Sequence, residues 1–242
     1  MLPALDWAQP WLAPYRAHGE AAARAANGET SVASALQALK PPPAPDFVHQ
    51  DHLPAGQAYE AHIFQTRTVP TRDNLHDFFN GLVWLAFPEA KRRLNELQAA
   101  EIARTGVGAT RGPLRDALTL FDENGAVLDA PPALWEALAA RDWQALFVTR
   151  RALWSEARLL VFGHALLEKL VAPRKAATAH VLLPDAARSN ALDDVALARR
   201  LDPEWLAQKP FVPLPVLGVP GWCAENVTAE YYDDPKVFRP RP

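Results

Sequence analysis

Residues 71–87, TRDNLHDFFNGLVWLAF, read as an amphipathic helix around which the rest of the chain is organised. At about 100° per residue, Leu75, Phe78, Phe79, Leu82, Val83 and Ala86 fall on one side, the spacing of a core-facing stripe. Thr71 or Asp73 can cap its start, and Pro88 ends it, because proline drives the preceding residue out of helical conformation. The opposite side gathers Asp73, His76, Asp77, Asn80 and Trp84. A merely solvated face would carry lysine and glutamate. An indole among polar groups predicts that this wall is covered by the rest of the fold or by a ligand.

Two readings of that wall follow. In the functional one, His76 is a general acid/base or a metal ligand, oriented by Asp77 or Asp73, with Asn80 beside it one turn on. In the structural one, His76 and Asn80 bridge to a neighbouring element, and the aspartates sit where the helix dipole favours negative charge.

Beyond Pro88, residues 88–105 predict a second helix folded back on the first, with Leu94, Leu97 and Ile102 inward. GVGATRG at 106–112 has the glycines of a phosphate cradle but lacks the Lys-Ser/Thr ending of a P-loop, which leaves Arg111 and Arg115 as groups able to meet an anion. In ALTLFDENGAVLDA, apolar runs flank Asn124-Gly125, a strong hairpin signal, and Asp122 then reads as turn chemistry. Pro131 and Pro132 open a helix to about Ala140, and Asp142 can cap another at Trp143.

WSEARLLVFGHALLEKLV, residues 154–171, is apolar almost all round and predicts a central buried helix. Its narrow polar strip holds His164 and Glu168 one turn apart, a possible buried His–Glu pair, and Gly163 permits a close approach at that level. A serine nucleophile has little support: no G-x-S-x-G occurs, and capping explains Ser155. Cys223 stands alone after Gly221-Trp222.

On the N-terminal side, Trp7, Trp11 and Tyr15 anchor a short helical or turn segment, followed by two Ala-rich helices over 18–26 and 31–39 that are split at Asn27-Gly28. Pro41 to Pro45 predict a stiff, extended connector. Residues 61–68 and 178–183 read as strands. His49, Asp51 and His52 have ligand chemistry without a second ligand group nearby. The proline-rich end, 209–242, predicts an extended segment that wraps the surface, held by Phe211, Leu214, Trp222, Tyr231, Tyr232 and Phe238.

The expectation is therefore an α+β fold, predominantly α-helical, with a central buried helix, a small β-hairpin or sheet and an extended Pro-rich C-terminal tail. Residues 1–242 are expected to form a single domain, with 1–45 as a helical arm and 209–242 as the wrapping tail. A chain of 242 residues with 49% hydrophobic content can bury a sizeable core. The net charge of −3 and pI near 6.2 speak against wholesale nucleic-acid or anionic-membrane binding. One cysteine leaves no internal disulfide and fits a reducing cytoplasm. The first twenty residues lack the pattern of a secretion signal, and no apolar run is long enough to span a membrane.

Arg72 to Glu101, RGPLRDALTLFDENG at 111–125, FGHALLEKL at 162–170, LPVLGVPGW at 214–222 and YYDDPKVFRP at 231–240 together resemble an uncharacterised proteobacterial family, catalogued as domain of unknown function 3025. The resemblance implies one continuous domain and brings no activity, cofactor or catalytic residue with it.

Function therefore rests on the residues. The leading expectation is a small-molecule hydrolase or lyase using His76, Asp77 and Asn80 from one helix and His164 with Glu168 from another, by acid–base or metal-assisted chemistry. Arg72, Trp84, Arg111, Arg115 and Trp222 are the substrate-binding candidates. No cofactor and no metal-ligand set is assigned. The alternative is a non-catalytic binding or adaptor protein with an aromatic-rich groove. A weaker one is an RNA-associated enzyme with Arg67, Arg72, Lys91, Arg92, Arg93, Arg111 and Arg115 as a basic face. The enzyme reading needs His76 and His164 within about 8 Å of each other across a reachable pocket.

Overall fold

The computed structural model describes residues 2–26, 28–106, 112–184 and 192–241. Asn27, Arg111 with most of the glycine-rich loop, and residues 185–191 lie outside the described residues.

A 3-10 turn, Pro10–Tyr15, leads into helices α1 (Arg16–Ala25) and α2 (Val32–Gln37). Strand β1 (Asp46–His49) pairs in parallel with β2 (Thr68–Thr71), and α3 (Tyr59–Thr66) forms the crossover between them. Helices α4 (Leu75–Ala86), α5 (Pro88–Thr105) and α6 (Pro113–Asn124) follow. Then come β3 (Gly125–Asp129), α7 (Pro132–Ala140), β4 (Arg158–Val161) and α8 (His164–Lys169). The last elements are β5 (Thr178–Leu182), α9 (Asp194–Arg200), α10 (Pro203–Ala207) and β6 (Phe211–Pro215). The second sheet has the order β4-β3-β5-β6, with β3 antiparallel to β4 and parallel to β5, and β6 antiparallel to β5. The fold is α+β and predominantly helical.

Helix α4 is the hub. Phe78, Phe79, Leu82 and Val83 are fully buried, and Asp77, Asn80 and Trp84 on the other side are buried as well, while Asp73 is exposed and His76 half-buried, so the polar wall is covered in part. Asn74, rather than Thr71 or Asp73, caps the helix, accepting from the Asp77 amide at 2.8 Å. Asp73 instead accepts from the Val32 amide at 2.7 Å and secures the start of α2. Pro88 makes the break between α4 and α5, whose first free amides, Glu89 and Ala90, are taken by the Asp194 carboxylate at 2.9 and 2.8 Å.

The expected hairpin over residues 117–130 is instead a helix running directly into a strand. Leu114, Ala117, Leu118 and Phe121 carry a helical stripe, Pro113 suits the first turn, and Gly125 is extended (φ −72°, ψ 151°) rather than left-handed as a tight hairpin turn requires. The expected central helix over 154–171 is also corrected. It divides into a 3-10 turn (Arg151–Glu156), β4 and the short α8, because Leu159 to Val161 pair with β3. A short apolar run fits a buried strand as well as a buried helix, and here the sheet partner decides.

Three further expectations change. Residues 59–66 form a helix, and only Thr68 to Thr71 are extended. The Pro41–Pro45 connector is a turn rather than an extended run, with the Ala44 amide donating to the Pro41 carbonyl at 2.9 Å. The C-terminal segment begins as sheet strand β6 and continues through 3-10 turns at Val216–Gly218, Ala224–Val227 and Ala229–Asp233. Of its anchors Leu214, Tyr232 and Phe238 are buried, and Phe211, Trp222 and Tyr231 half-buried. Among the described residues no helix is long and apolar enough to cross a membrane.

A directed contact ties the N-terminal segment to the second sheet: the Tyr15 hydroxyl, fully buried, donates to the Val161 carbonyl at 2.7 Å. Tyr15→Phe removes that donor and leaves a buried carbonyl unpaired, so we expect a loss of about 1–2 kcal/mol in thermal or urea unfolding, with the fold unchanged.

Candidate functional site

The cap at Asn74 fixes the rotation of α4 and with it the direction of His76, Asp77 and Asn80. Asp77 is occupied by structure. Its carboxylate accepts from Arg72 Nε at 3.0 Å, from Arg72 Nη2 at 2.9 Å and from the Arg72 amide at 2.6 Å. A buried carboxylate paired in this way serves as the counter-ion that positions Arg72 at the edge of a cleft.

His76 points to α8. Its Nδ1 lies 3.0 Å from Glu168 Oε2, and its Nε2 lies 3.1 Å from Nε2 of His164, the two rings meeting edge to face. The sequence paired Glu168 with His164. The structure corrects this, because Glu168 serves His76 and the two histidines face each other.

His164 reaches that place through Gly163. A Cβ on Gly163 would stand 2.5 Å from both the Glu123 carbonyl oxygen and the Asn124 amide nitrogen, so only glycine lets the start of α8 lie against the end of α6. The Phe162 and Gly163 amides both donate to the Gly125 carbonyl, at 3.0 and 2.9 Å, and lock the junction. His164 Nε2 is thereby set 3.6 Å from Glu123 Oε2, and Nδ1 3.9 Å from Asp122 Oδ2. Nδ1 is buried without a hydrogen-bond partner.

The electrostatics of the cluster follow from burial. Burial lowers the His164 pKa to about 4, against the pull of Asp122, so this imidazole is neutral at neutral pH. Burial would raise Asp122, but Lys91, whose Nζ lies 2.5 Å from Oδ1, together with His164 outweighs it and holds the carboxyl below its usual range. Glu123 is raised by burial and by neighbouring Asp122. Glu60 is raised by burial and then by Asp122, and burial pushes the Tyr59 phenol well above its usual value.

These groups line one cleft of about 290 Å³ with Gln50, Leu53, Tyr59, Glu60, Arg72 and Asn80 on its walls. Asn80, 6% exposed, donates through Nδ2 to the Tyr59 hydroxyl at 3.1 Å, and its Oδ1 is buried with no partner. Asn80 Oδ1 and His164 Nδ1 are thus two buried polar atoms without hydrogen-bond partners on residues that line one cleft.

Of the residues singled out by sequence, His76, Asp77, Asn80, His164 and Arg72 line the cleft, and Glu168 backs His76. Trp84 turns away: it packs beneath the Lys91 ammonium, 5.4 Å from the ring centre, and lines a different hollow. Arg115 is buried at the start of α6, donating to the Gly106 carbonyl at 3.4 Å, and Trp222 packs on Trp11. Arg111 lies outside the described residues. The basic face is also broken up: Lys91 is buried, while Arg92 pairs with Glu89 and Glu96. Sequence reading missed Glu123, Asp122, Glu60 and Tyr59. Helical spacing from Leu114 to Phe121 was the signal that would have carried α6 through to the two carboxylates.

Comparison with known proteins adds a family. The sequence pattern described as "Protein of unknown function (DUF3025)" matches residues 45–242, most of the chain, and the chain belongs to that family. No curated protein and no solved structure matches it.

The geometry makes two stability predictions. Lys91→Met leaves Asp122 buried and unpaired, and we expect a loss of about 3–5 kcal/mol in chemical denaturation. Gly163→Ala forces backbone apart at the α6–α8 junction; a lowered melting temperature, equivalent to about 1–3 kcal/mol, is the expected outcome.

Proposed function

We propose that this member of the DUF3025 family is a small-molecule hydrolase or lyase whose reaction takes place where His76 and His164 meet. The observation that carries the reading is the convergence of two imidazole Nε2 atoms at 3.1 Å, with Glu123 3.6 Å from one of them, at the wall of a cleft of about 290 Å³. That size suits a small ligand. Glu168 fixes the tautomer of His76: Nδ1–H donates to the carboxylate, and the Nε2 lone pair is presented to the cleft. Lone pairs gathered in this way activate water or remove a substrate proton, either directly or through a bound cation.

Substrate contacts fall to the opposite wall. Arg72, its guanidinium steadied by Asp77, offers charge at the rim, and Asn80 Oδ1 offers an unfilled acceptor. Tyr59 accepts from Asn80 and so keeps its own proton for a ligand oxygen or nitrogen. Glu60 supplies a carboxyl with a raised pKa, a group suited to carrying a proton during turnover.

The adaptor reading draws on the hollow beside Trp84, lined by Pro43, Pro45, Ile63 and the half-exposed Phe64. At about 40 Å³ it holds little more than a water molecule, too little to seat an aromatic or aliphatic anchor. The polar cleft is the better-supported site.

A panel of carboxylic esters, lactones, amides and phosphate esters tests the proposal. We expect turnover of at least one class, with His76→Gln and His164→Gln each lowering kcat/KM by about 100-fold or more. Trp222→Ala, which lies off the cleft, should leave the rate unchanged. Turnover that survives both histidine substitutions would place the chemistry elsewhere.

A further inference from the structure

We infer that the cleft binds one divalent transition-metal ion through His76 Nε2, His164 Nε2 and the Glu123 carboxylate, with Glu168 holding His76 from behind. This inference deepens the reading of the cleft as the reaction site by naming what the imidazole pair holds.

The three side chains offer ligand atoms that all lie within 4.8 Å of one another. Zinc binds imidazole nitrogen at about 2.0–2.1 Å and carboxylate oxygen at about 2.0–2.2 Å, which in tetrahedral coordination places neighbouring donors about 3.3–3.5 Å apart. The separations of 3.1 Å between the two Nε2 atoms and 3.6 Å from His164 Nε2 to Glu123 Oε2 bracket that spacing. Two of the three separations therefore already suit one ion, and the third, within 4.8 Å, closes by a shift of the Glu123 side chain.

Hydrogen-bond logic leads to the same point. With Nδ1–H of His76 given to Glu168, its Nε2 is an acceptor facing His164. If His164 carries its proton on Nε2, its Nδ1 becomes a buried acceptor turned toward the Asp122 carboxylate. If it carries the proton on Nδ1, that atom turns a donor toward Asp122, but two lone pairs then confront each other at 3.1 Å. Every neutral combination leaves one mismatched contact. A positive charge between the two Nε2 atoms removes the mismatch. A proton can bridge only two donors and leaves Glu123 without a role, whereas a metal ion engages all three.

The surroundings match a metal centre beyond its ligands. A carboxylate on the far nitrogen of a liganding histidine fixes the ring and raises its basicity, and Glu168 has that position on His76. Glu123 stands at the C-terminal end of α6, where the helix dipole adds negative potential to that of Asp122. Two histidines and one carboxylate leave a coordination position for water, and the cleft provides room for it. Imidazole-rich ligation selects zinc or a neighbouring transition metal over magnesium.

The test is calorimetric titration of the chelator-treated full-length protein with zinc chloride, with magnesium chloride as the comparison. We expect one zinc ion per chain and no comparable magnesium binding. Glu123→Gln and His76→Gln should each weaken zinc binding about 100-fold or more, and Glu168→Gln about 10–100-fold. Asp51→Asn, beside the exposed His49, should leave it unchanged. Failure of the wild-type chain to take up zinc overturns the inference, as does Glu123→Gln binding as tightly as wild type. Should Glu123→Gln misfold by circular dichroism, X-ray absorption on the zinc-loaded wild type decides: two imidazoles and a carboxylate support the site, and any other set overturns it. Zinc bound as expected without turnover of the substrate panel removes the hydrolase or lyase reading and keeps the ion site. Turnover without zinc binding does the reverse.

Discussion

Two consecutive carboxylates at the last turn of a buried helix set the terms for everything around the cleft. The C-terminal end of α6 already carries the negative pole of the helix, and Asp122 and Glu123 add charge where the backbone least tolerates it. The fold answers with Lys91, itself buried, whose ammonium is spent on Asp122. Glu123 and the imidazoles of His76 and His164 are left facing one another. Apolar side chains of similar volume would pack this space at lower cost. Where a chain departs from the rules that stabilise it, without a compensating gain in packing, a functional demand is the usual reason.

The carboxylates around His76 divide into two kinds, and their hydrogen bonds separate them. Asp77 gives both oxygens to Arg72 and so acts as scaffold, holding a cation at the rim. Glu168 reaches across from a different helix with an oxygen on His76 Nδ1, the contact that selects the tautomer and turns Nε2 toward the cleft. Position along the chain pointed to the opposite assignment, since Asp77 neighbours His76 and Glu168 lies far away. Contacts between helices, not neighbours in sequence, decide which carboxylate serves the imidazole.

The same reasoning explains what the sequence disclosed. Helix α4 was legible down to its buried polar wall, because its stripe of phenylalanine and leucine repeats at helical spacing and an indole interrupts its polar face. Helix α5 and the terminal aromatic anchors were legible for similar reasons. The errors cluster at Asp122 to Gly125 and at Leu159 to Gly163. In the first, a true Asn-Gly signal was read as a hairpin turn although Gly125 is extended and leads out of a helix. In the second, an apolar run long enough for a helix was divided by pairing with β3, a contact between residues far apart in sequence. Because Glu123 stands at the first junction and His164 at the second, the error in secondary structure concealed that the two side chains meet. His76 and His164 were recoverable individually, and the 3.1 Å between them was not.

That distance depends on two separately anchored parts of the fold. His76 rides on α4, which is tied to α2 through Asp73 and to the β2 end through Arg72. His164 begins α8 and is tied to the second sheet through the paired amide bonds to Gly125 and the close contact at Gly163. The helical layer and the sheet layer therefore each contribute one imidazole, and α6 contributes the acid at the seam between them. Any ligand that engages both imidazoles also joins the two layers, so its binding stabilises the folded chain to an extent set by its concentration relative to Kd. The placement of the histidines thus couples occupancy of the cleft to the joining of the helices with the second sheet.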